Sequence, residues 1–289
     1  MGPFEYLKPT SLKEACSLLS EHKGEAKLIA GGQSLVPLLR SRLIEPRYIV
    51  DIKGIPGLEY IRVEPDGIRI GALTTHRDVE ASSLVGERFP VLVDMERVLG
   101  TTQIRNWGTI GGDLCHADPA GDPAPALIAL RAKVKAMSIR GQREMSLEQF
   151  FIDYFETVLE PDEILTEIQI PNPQPHTGTV YLKESVRLGD YPIISVAADV
   201  TLNHDKVKDT RIVLGAVGNS PIRAEGGEKA LIGKEVTRAI LEELSDAIAE
   251  DIYPASDIGG SAEYKRHLAR VITKKVVSQA VQMAKQHRS

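Results

Sequence analysis

Cysteine is scarce in this sequence, and its scarcity excludes several kinds of redox and metal site. Of the 289 residues only Cys16 and Cys115 are cysteines, and they lie far apart with no metal-ligand spacing. An iron–sulfur cluster is normally held by four thiolates, so this chain cannot hold one by itself. His76 and His116 have no partner at a spacing that indicates a base or a ligand. No metal site is therefore predicted, and both cysteines are expected to be buried small hydrophobic residues.

Long apolar runs and clustered positive charge are also missing. No run approaches the roughly 20 apolar residues that span a bilayer, and the first residues show no basic region followed by an apolar core. The net charge of -5 is not that of a nucleic-acid-binding protein, which would need clustered Lys and Arg. We therefore expect no transmembrane segment and no nucleic-acid partner, and a cytoplasmic location.

The usual nucleotide fingerprints are absent as well, but two glycine pairs are present. No G-x-G-x-x-G follows a strand, and there is no phosphate-binding Gly-Lys-Ser/Thr, so ordinary NAD and ATP sites are not supported. The pairs are Gly31-Gly32 and Gly111-Gly112, each after an extended segment. Glycine opens unusual backbone dihedrals and removes the Cβ, so successive N–H groups can form an anion site. Two such turns favour an extended cofactor that contains phosphate groups. For the first glycine pair, an ordinary strand-to-helix turn is the alternative interpretation.

The order of the predicted elements divides the chain into three segments. Alternating strands and helices over 1–54 predict a β-α-β-α-β unit, with a capping box at Ser11. Residues 55–175 predict a second α/β unit, which contains a Gly- and Asp-rich stretch over 108–122. Three prolines within 171–175 mark the next boundary. Residues 176–289 predict three strands followed by helices, so the fold class is α+β.

Several motifs together resemble one known family. In their order and spacing they are similar to the medium, FAD-binding subunit of molybdenum hydroxylases, a family that includes aerobic carbon monoxide dehydrogenase and, as a fused domain, xanthine dehydrogenase. The resemblance covers essentially the whole chain. It is carried by Ala30-Gly31-Gly32-Gln33-Ser34-Leu35, the run from Gln103 to Asp113, Asp118-Pro119-Ala120-Gly121-Asp122, Asp162-Glu163-Ile164-Leu165 and the run from Lys183 to Tyr191.

The resemblance implies a fold and a cofactor. Two α/β subdomains, 1–54 and 55–175, would enclose FAD as in the vanillyl-alcohol-oxidase-like fold. The C-terminal domain, 176–289, would have a three-stranded antiparallel sheet and a helical bundle. No catalytic residue is implied in this chain, but Tyr191 would cover the flavin ring as a gate. The cofactor-binding residues implied are Leu28, Ile29, Ala30, Gly31, Gly32, Gln33, Ser34, Leu35, Leu99, Gly100, Thr109, Ile110, Gly111, Gly112, Asp113, Asp122, Leu165, Lys183 and Tyr191.

The resemblance also assigns roles within that set. Residues 28–35 and 109–113 would hold the pyrophosphate and adjoining sugar through backbone amides. Asp122 would accept a hydrogen bond from a ribose or ribityl hydroxyl. Lys183 and Leu165 would lie near the isoalloxazine ring. The family commonly has Asn where this chain has Asp113. A carboxylate would weaken phosphate binding if the side chain touched it, and we expect that only the backbone N–H does.

The function implied is electron transfer within a larger complex. A large molybdopterin-binding subunit would oxidise the substrate, and a small subunit with two [2Fe–2S] clusters would pass electrons to FAD. The three subunits would form a heterohexamer. Two alternatives remain open: a self-sufficient FAD-dependent oxidase or reductase, and a scaffold of the same fold without cofactor. The substrate and the final acceptor (quinone, NAD or oxygen) are not indicated by the residues.

Overall fold

The computed structural model describes residues 2–286, which form four sheets and their covering helices. The strands are β1 (Glu5–Leu7), β2 (Ala26–Ile29), β3 (Tyr48–Asp51), β4 (Ile61–Glu64), β5 (Gly67–Gly71), β6 (Lys133–Ser138), β7 (Gly141–Ser146), β8 (Phe151–Asp153), β9 (Glu156–Thr157), β10 (Ile164–Pro171), β11 (Thr177–Glu184), β12 (Ile194–Asn203), β13 (Lys206–Gly215) and β14 (Ile222–Arg223).

The helices are mostly short until the C-terminal third. They are α1 (Leu12–Glu21), α2 (Leu35–Arg40), α3 (His76–Ala81), α4 (Ser83–Arg88), α5 (Pro90–Val98), α6 (Thr102–Trp107), α7 (Ile110–His116), α8 (Pro123–Ala129), α9 (Glu225–Leu231), α10 (Arg238–Asp251) and α11 (Ala262–Gln286), with a 3₁₀ turn at Leu147–Gln149.

The first unit is the predicted β-α-β-α-β arrangement. Its sheet has the order β1-β3-β2, and both pairings are parallel. The hydroxyl of Ser11 accepts a hydrogen bond from the Glu14 N–H and so begins α1, as the capping box predicts. Cys16 and Leu19 on the buried face of α1 share a core with Leu73 and Ile164 of the next unit. The small sheet is therefore stabilised by packing against its neighbour.

The second unit is built on an antiparallel sheet of order β4-β5-β10-β6-β7. Helices α3 to α8 cover one face, and their apolar side chains, including Phe89, Met95 and Leu127, fill the core between sheet and helices. Helix α7 occupies part of the Gly- and Asp-rich stretch that the sequence analysis left without an element. Its cap is Thr109, whose hydroxyl accepts a hydrogen bond from the Gly112 N–H at 3.2 Å.

The C-terminal unit confirms the predicted antiparallel sheet and helices. Strands β11, β12 and β13 pair consecutively, and the two-residue β14 adds a fourth strand that the sequence analysis did not predict. One face of the sheet packs on α11 and the other on α8. The three-way division at 54 and 175 stays a prediction, because the shared cores do not separate the units.

No helix within residues 2–286 combines the length and the apolar character that crossing a membrane requires.

Gly178 on β11 lies directly against the backbone of α11. A Cβ atom there would lie 2.1 Å from the Ala280 carbonyl oxygen and 2.7 Å from the Ala284 nitrogen. We expect Gly178→Ala to lower the free energy of unfolding by about 1–3 kcal/mol, because the helix backbone must move away. Gly54→Ala is the matched control, since nothing lies within 4 Å of its Cβ position. Urea unfolding of the two variants tests this, and equal stabilities would contradict the packing argument.

Candidate functional site

A cavity of about 780 Å³ lies where the first and second units meet. Both glycine loops line it, together with the Asp122 region and residues 189–191 near the start of β12. All but three of the nineteen residues predicted to bind the cofactor are in its wall. The sixteen lining residues are Leu28, Ala30, Gly31, Gly32, Gln33, Ser34, Leu35, Leu99, Gly100, Thr109, Gly111, Gly112, Asp113, Asp122, Leu165 and Tyr191. Their contact with the cofactor remains a prediction.

The three predicted residues outside the wall are buried behind it. Ile29 packs against Leu39 and Ile49 in the small core under α2, and Ile110 is fully buried in the core of the second unit. Lys183 points its ammonium group at the protein side of Asp122. These side chains support the wall, and Lys183 is linked to the cavity through Asp122.

The first glycine loop has free backbone donors. Gly32 has φ +75°, a left-handed conformation that favours glycine. Among the described residues, the N–H groups of residues 31–34 make no hydrogen bond, and the Ser34 hydroxyl does not cap α2. Successive free N–H groups in a concave turn are typical of anion sites. This loop therefore has the donors that a diphosphate requires.

The second glycine loop differs, because its donors are already used. The N–H groups of residues 110–113 bond to the Thr74 carbonyl (3.0 Å), the Ala72 carbonyl (3.0 Å), the Thr109 hydroxyl (3.2 Å) and the Thr109 carbonyl (3.0 Å), in that order. The Asp113 N–H is therefore engaged by the protein itself, and the expectation that this N–H contacts the phosphate stays a prediction. A Cβ at position 111 would lie 2.6 Å from the Ala72 carbonyl oxygen, so glycine there permits close packing.

Asp122 forms a buried cluster with two residues of β11. Its carboxylate accepts hydrogen bonds from the Tyr181 hydroxyl (2.5 Å) and the Lys183 ammonium (2.7 Å). Lys183 also donates to the Val98 carbonyl at 3.1 Å. Burial beside Asp122 raises the pKa of Tyr181 well above its ordinary value, so the phenol stays a donor. Each carboxylate oxygen has a second lone pair, which leaves acceptor capacity for the predicted hydroxyl.

The wall formed by Leu99 and Gly100 is held in place by a buried arginine. The Arg105 guanidinium donates to the Leu99 carbonyl (2.8 Å) and the Gly100 carbonyl (3.3 Å), and its Nε donates to Glu80 (2.9 Å). On the other side Gly189 lies close enough that a Cβ would come within 2.6 Å of the Gly100 carbonyl oxygen. No sequence pattern indicates a role for Arg105, because its partners are mostly backbone carbonyl groups.

His76 also lines the cavity, although no sequence pattern indicated a role for it. The imidazole Nδ1 lies 3.0 Å from Glu96, and Nε2 lies 3.6 Å from Asp113. The sequence spacing around His76 gave no sign of this partner, because Glu96 is on a different helix. Cys115 corrects one expectation: its side chain is exposed, and it lines the same cavity.

The residues present fit FAD. The cavity offers free amide donors for a diphosphate, a carboxylate for a hydroxyl, and apolar side chains for flat rings, the last including Leu38, Ile44, Leu99, Ile104 and Leu165. No group of three or more His, Cys, Asp or Glu side chains in residues 2–286 is arranged to hold a metal ion.

Comparison with known protein families accounts for most of the chain. Residues 2–173 match the family described as the FAD binding domain in molybdopterin dehydrogenase. Residues 181–280 match the CO dehydrogenase flavoprotein C-terminal domain.

Individual relatives are similar over nearly their whole length. The glyceraldehyde dehydrogenase medium chain of Sulfolobus acidocaldarius is 36% identical over 272 residues, which are 94% of this chain and 96% of the relative. The xanthine dehydrogenase FAD-binding subunit of Escherichia coli O157:H7 is 31% identical, with 96% of each chain covered. A solved structure of carbon monoxide dehydrogenase from Hydrogenophaga pseudoflava has a TM-score of 0.94 at 35% identity, covering 96% of this chain and 97% of that chain.

Replacing Lys183 tests whether the Asp122 cluster depends on its charge. We expect Lys183→Met to lower the free energy of unfolding by about 3–5 kcal/mol, because a buried carboxylate loses its cation. Adding Asp122→Asn should recover most of this loss in urea unfolding. As a control, Lys229→Met removes an exposed pair with Glu225 and should have little effect. Equal losses in the single and double variants would mean that the lysine acts through its packing alone.

Proposed function

The chain belongs to the family of FAD-binding medium subunits of molybdenum hydroxylases, and on that premise we propose that it passes electrons from the iron–sulfur clusters of a partner subunit through FAD to an external acceptor. Its relatives are subunits of dehydrogenases, so the chain is the flavoprotein part of an oxidoreductase. FAD is its cofactor. When bound, FAD supplies a redox centre that takes up electrons singly and releases them as a pair.

The free N–H groups of residues 31–34 are the observation that supports the proposed orientation of the cofactor. The N–H groups of residues 110–113 are engaged within the protein, whereas those of residues 31–34 are not, so we place the diphosphate against the first loop. The second loop then bounds the cofactor with Cα atoms and the Asp113 side chain. Asp122 would accept from a sugar hydroxyl while Tyr181 and Lys183 hold its carboxylate in position.

The region around Leu165 and Tyr191 is the proposed ring end of the site. Leu165 lies in the cavity wall on the central strand of the second sheet, so it offers a fixed apolar contact. Tyr191 also lines the cavity but is 64% exposed, which suits a side chain that controls access to a flavin from outside. We propose that it is the gate between the flavin and the acceptor.

The relatives are medium chains of multi-subunit enzymes, so this chain has a large and a small subunit as partners. We propose that the large subunit binds molybdopterin and the small one carries two [2Fe–2S] clusters, in a heterohexamer of two copies of each chain. The supporting argument is that two distant cysteines cannot supply the four thiolates of a cluster. A self-sufficient flavoenzyme and a cofactor-less scaffold are not favoured, because the whole-length relatives are FAD-binding and medium subunits.

The cofactor position is tested by changing Gly32 in the assembled complex. We expect Gly32→Val to abolish flavin absorbance and to leave no FAD for chromatography after denaturation, because a side chain at positive φ distorts the donor loop. The iron–sulfur absorbance of the complex should persist.

Gly57→Val is the matched control for that experiment. Gly57 also has a left-handed φ, +82°, but nothing lies within 4 Å of its Cβ position and it is outside the cavity wall. The control complex should keep its FAD. A wild-type complex without flavin would refute the proposed function, and loss of flavin in both variants would refute the placement at the first loop.

A further inference from the structure

Three ionisable side chains lie in a row behind the second glycine loop. Glu96 on α5 is fully buried, His76 on α3 is 2% exposed, and Asp113 on α7 faces the cavity. The imidazole is in the middle, with Nδ1 at 3.0 Å from Glu96 and Nε2 at 3.6 Å from Asp113. The row connects the interior of the second unit to the cavity surface.

The neighbours of His76 favour the imidazolium. Burial alone would lower the pKa of His76, but Glu96 and Asp113 outweigh it and raise the pKa to about 10. Arg105 on α6 also lies next to α3, and its guanidinium is committed to Glu80 and to the carbonyl groups of the Leu99 segment. A positive charge is therefore held directly behind Asp113 at neutral pH.

Asp113 requires a positive charge beside it because its carboxylate faces the proposed position of the FAD diphosphate. It lines the same cavity as the free N–H groups of the first glycine loop, which are the groups proposed to bind the diphosphate of FAD. Two unit charges 4 Å apart interact by about 4 kcal/mol even at an effective dielectric constant of 20, so an unpaired carboxylate would oppose a diphosphate. Its own N–H is bonded to the Thr109 carbonyl and cannot compensate by donating to the phosphate.

We propose that His76, held by Glu96, is a positioning residue that neutralises Asp113 from the protein side and thereby allows an acid to border the diphosphate of FAD. This proposal rests on the proposed function, because it assigns the cavity to that cofactor. Glu96 fixes the ring through Nδ1, so that Nε2 is directed to Asp113. The Asp113 carboxylate is thus oriented by a cation that lies beside it before the cofactor enters.

A double-mutant cycle in the assembled, flavin-depleted complex tests the pairing. The measured quantity is the Kd for added FAD, from flavin fluorescence, for wild type, His76→Gln, Asp113→Asn and the double variant. We expect His76→Gln to weaken binding about tenfold when Asp113 is present, and less than about twofold in the Asp113→Asn background. Glutamine keeps an N–H donor near the Nε2 position, so the change removes mainly the charge.

Two further variants keep the test decisive if His76→Gln does not fold. Glu96→Gln retains the shape of the buried side chain and should weaken FAD binding, again mainly when Asp113 is present. His116→Gln is the matched control: His116 lines the same cavity but its ring contacts Phe155, so its effect should be the same in both backgrounds.

Two outcomes would count against these ideas, and they are distinguishable. If His76→Gln and Glu96→Gln each weaken FAD binding by the same factor with Asp113 intact and in the Asp113→Asn background, the proposal is overturned. Failure of the wild-type complex to bind FAD would instead refute the proposed function.

Discussion

Gly31 lies against the backbone of Trp107 and Gly108, where a Cβ atom at position 31 would be 2.0 Å from the Trp107 carbonyl oxygen. This contact joins a loop of the parallel sheet to the segment between α6 and α7. An isolated bridge between Thr75 and Thr109 then ties that segment to the start of α3. The cavity exists between two glycine loops because one residue without a side chain lets the two backbones meet.

Buried charge pairs around the cavity follow a common pattern. Two of the three aspartates that line it, Asp113 and Asp122, each have a cation on the protein side, His76 and Lys183 respectively. Each cation is held by a further acceptor, Glu96 or the Val98 carbonyl. A carboxylate in this setting can accept hydrogen bonds from a ligand without presenting a bare charge to it. A chain with a net negative charge can therefore hold a dinucleotide with few Lys or Arg side chains in the wall.

Local signals predicted the elements better than they predicted the contacts. The cap at Ser11 and the glycine pairs are contiguous in sequence, so they could be recognised. Helix α7 was missed because two glycines in its first turn suppress helix propensity, and its Thr109 cap and its packing on Ala72 stabilise it instead. The partners of His76 and Lys183 lie on other elements, and no spacing rule connects them. Which glycine loop keeps its N–H groups free depends on tertiary hydrogen bonds that no motif encodes.

The position of β10 in its sheet determines when that sheet can fold during synthesis on the ribosome. Strand β10 lies between the β4–β5 and β6–β7 hairpins, although it follows both in the chain. An isolated hairpin is marginally stable, so neither can form a lasting sheet until Pro171 has been synthesised. The hydrogen-bond partners of Asp122 are Tyr181 and Lys183 on β11, and they are synthesised later still. The nascent chain therefore completes its site only after about two thirds of the translation time, and chaperones would meet both hairpins unpaired.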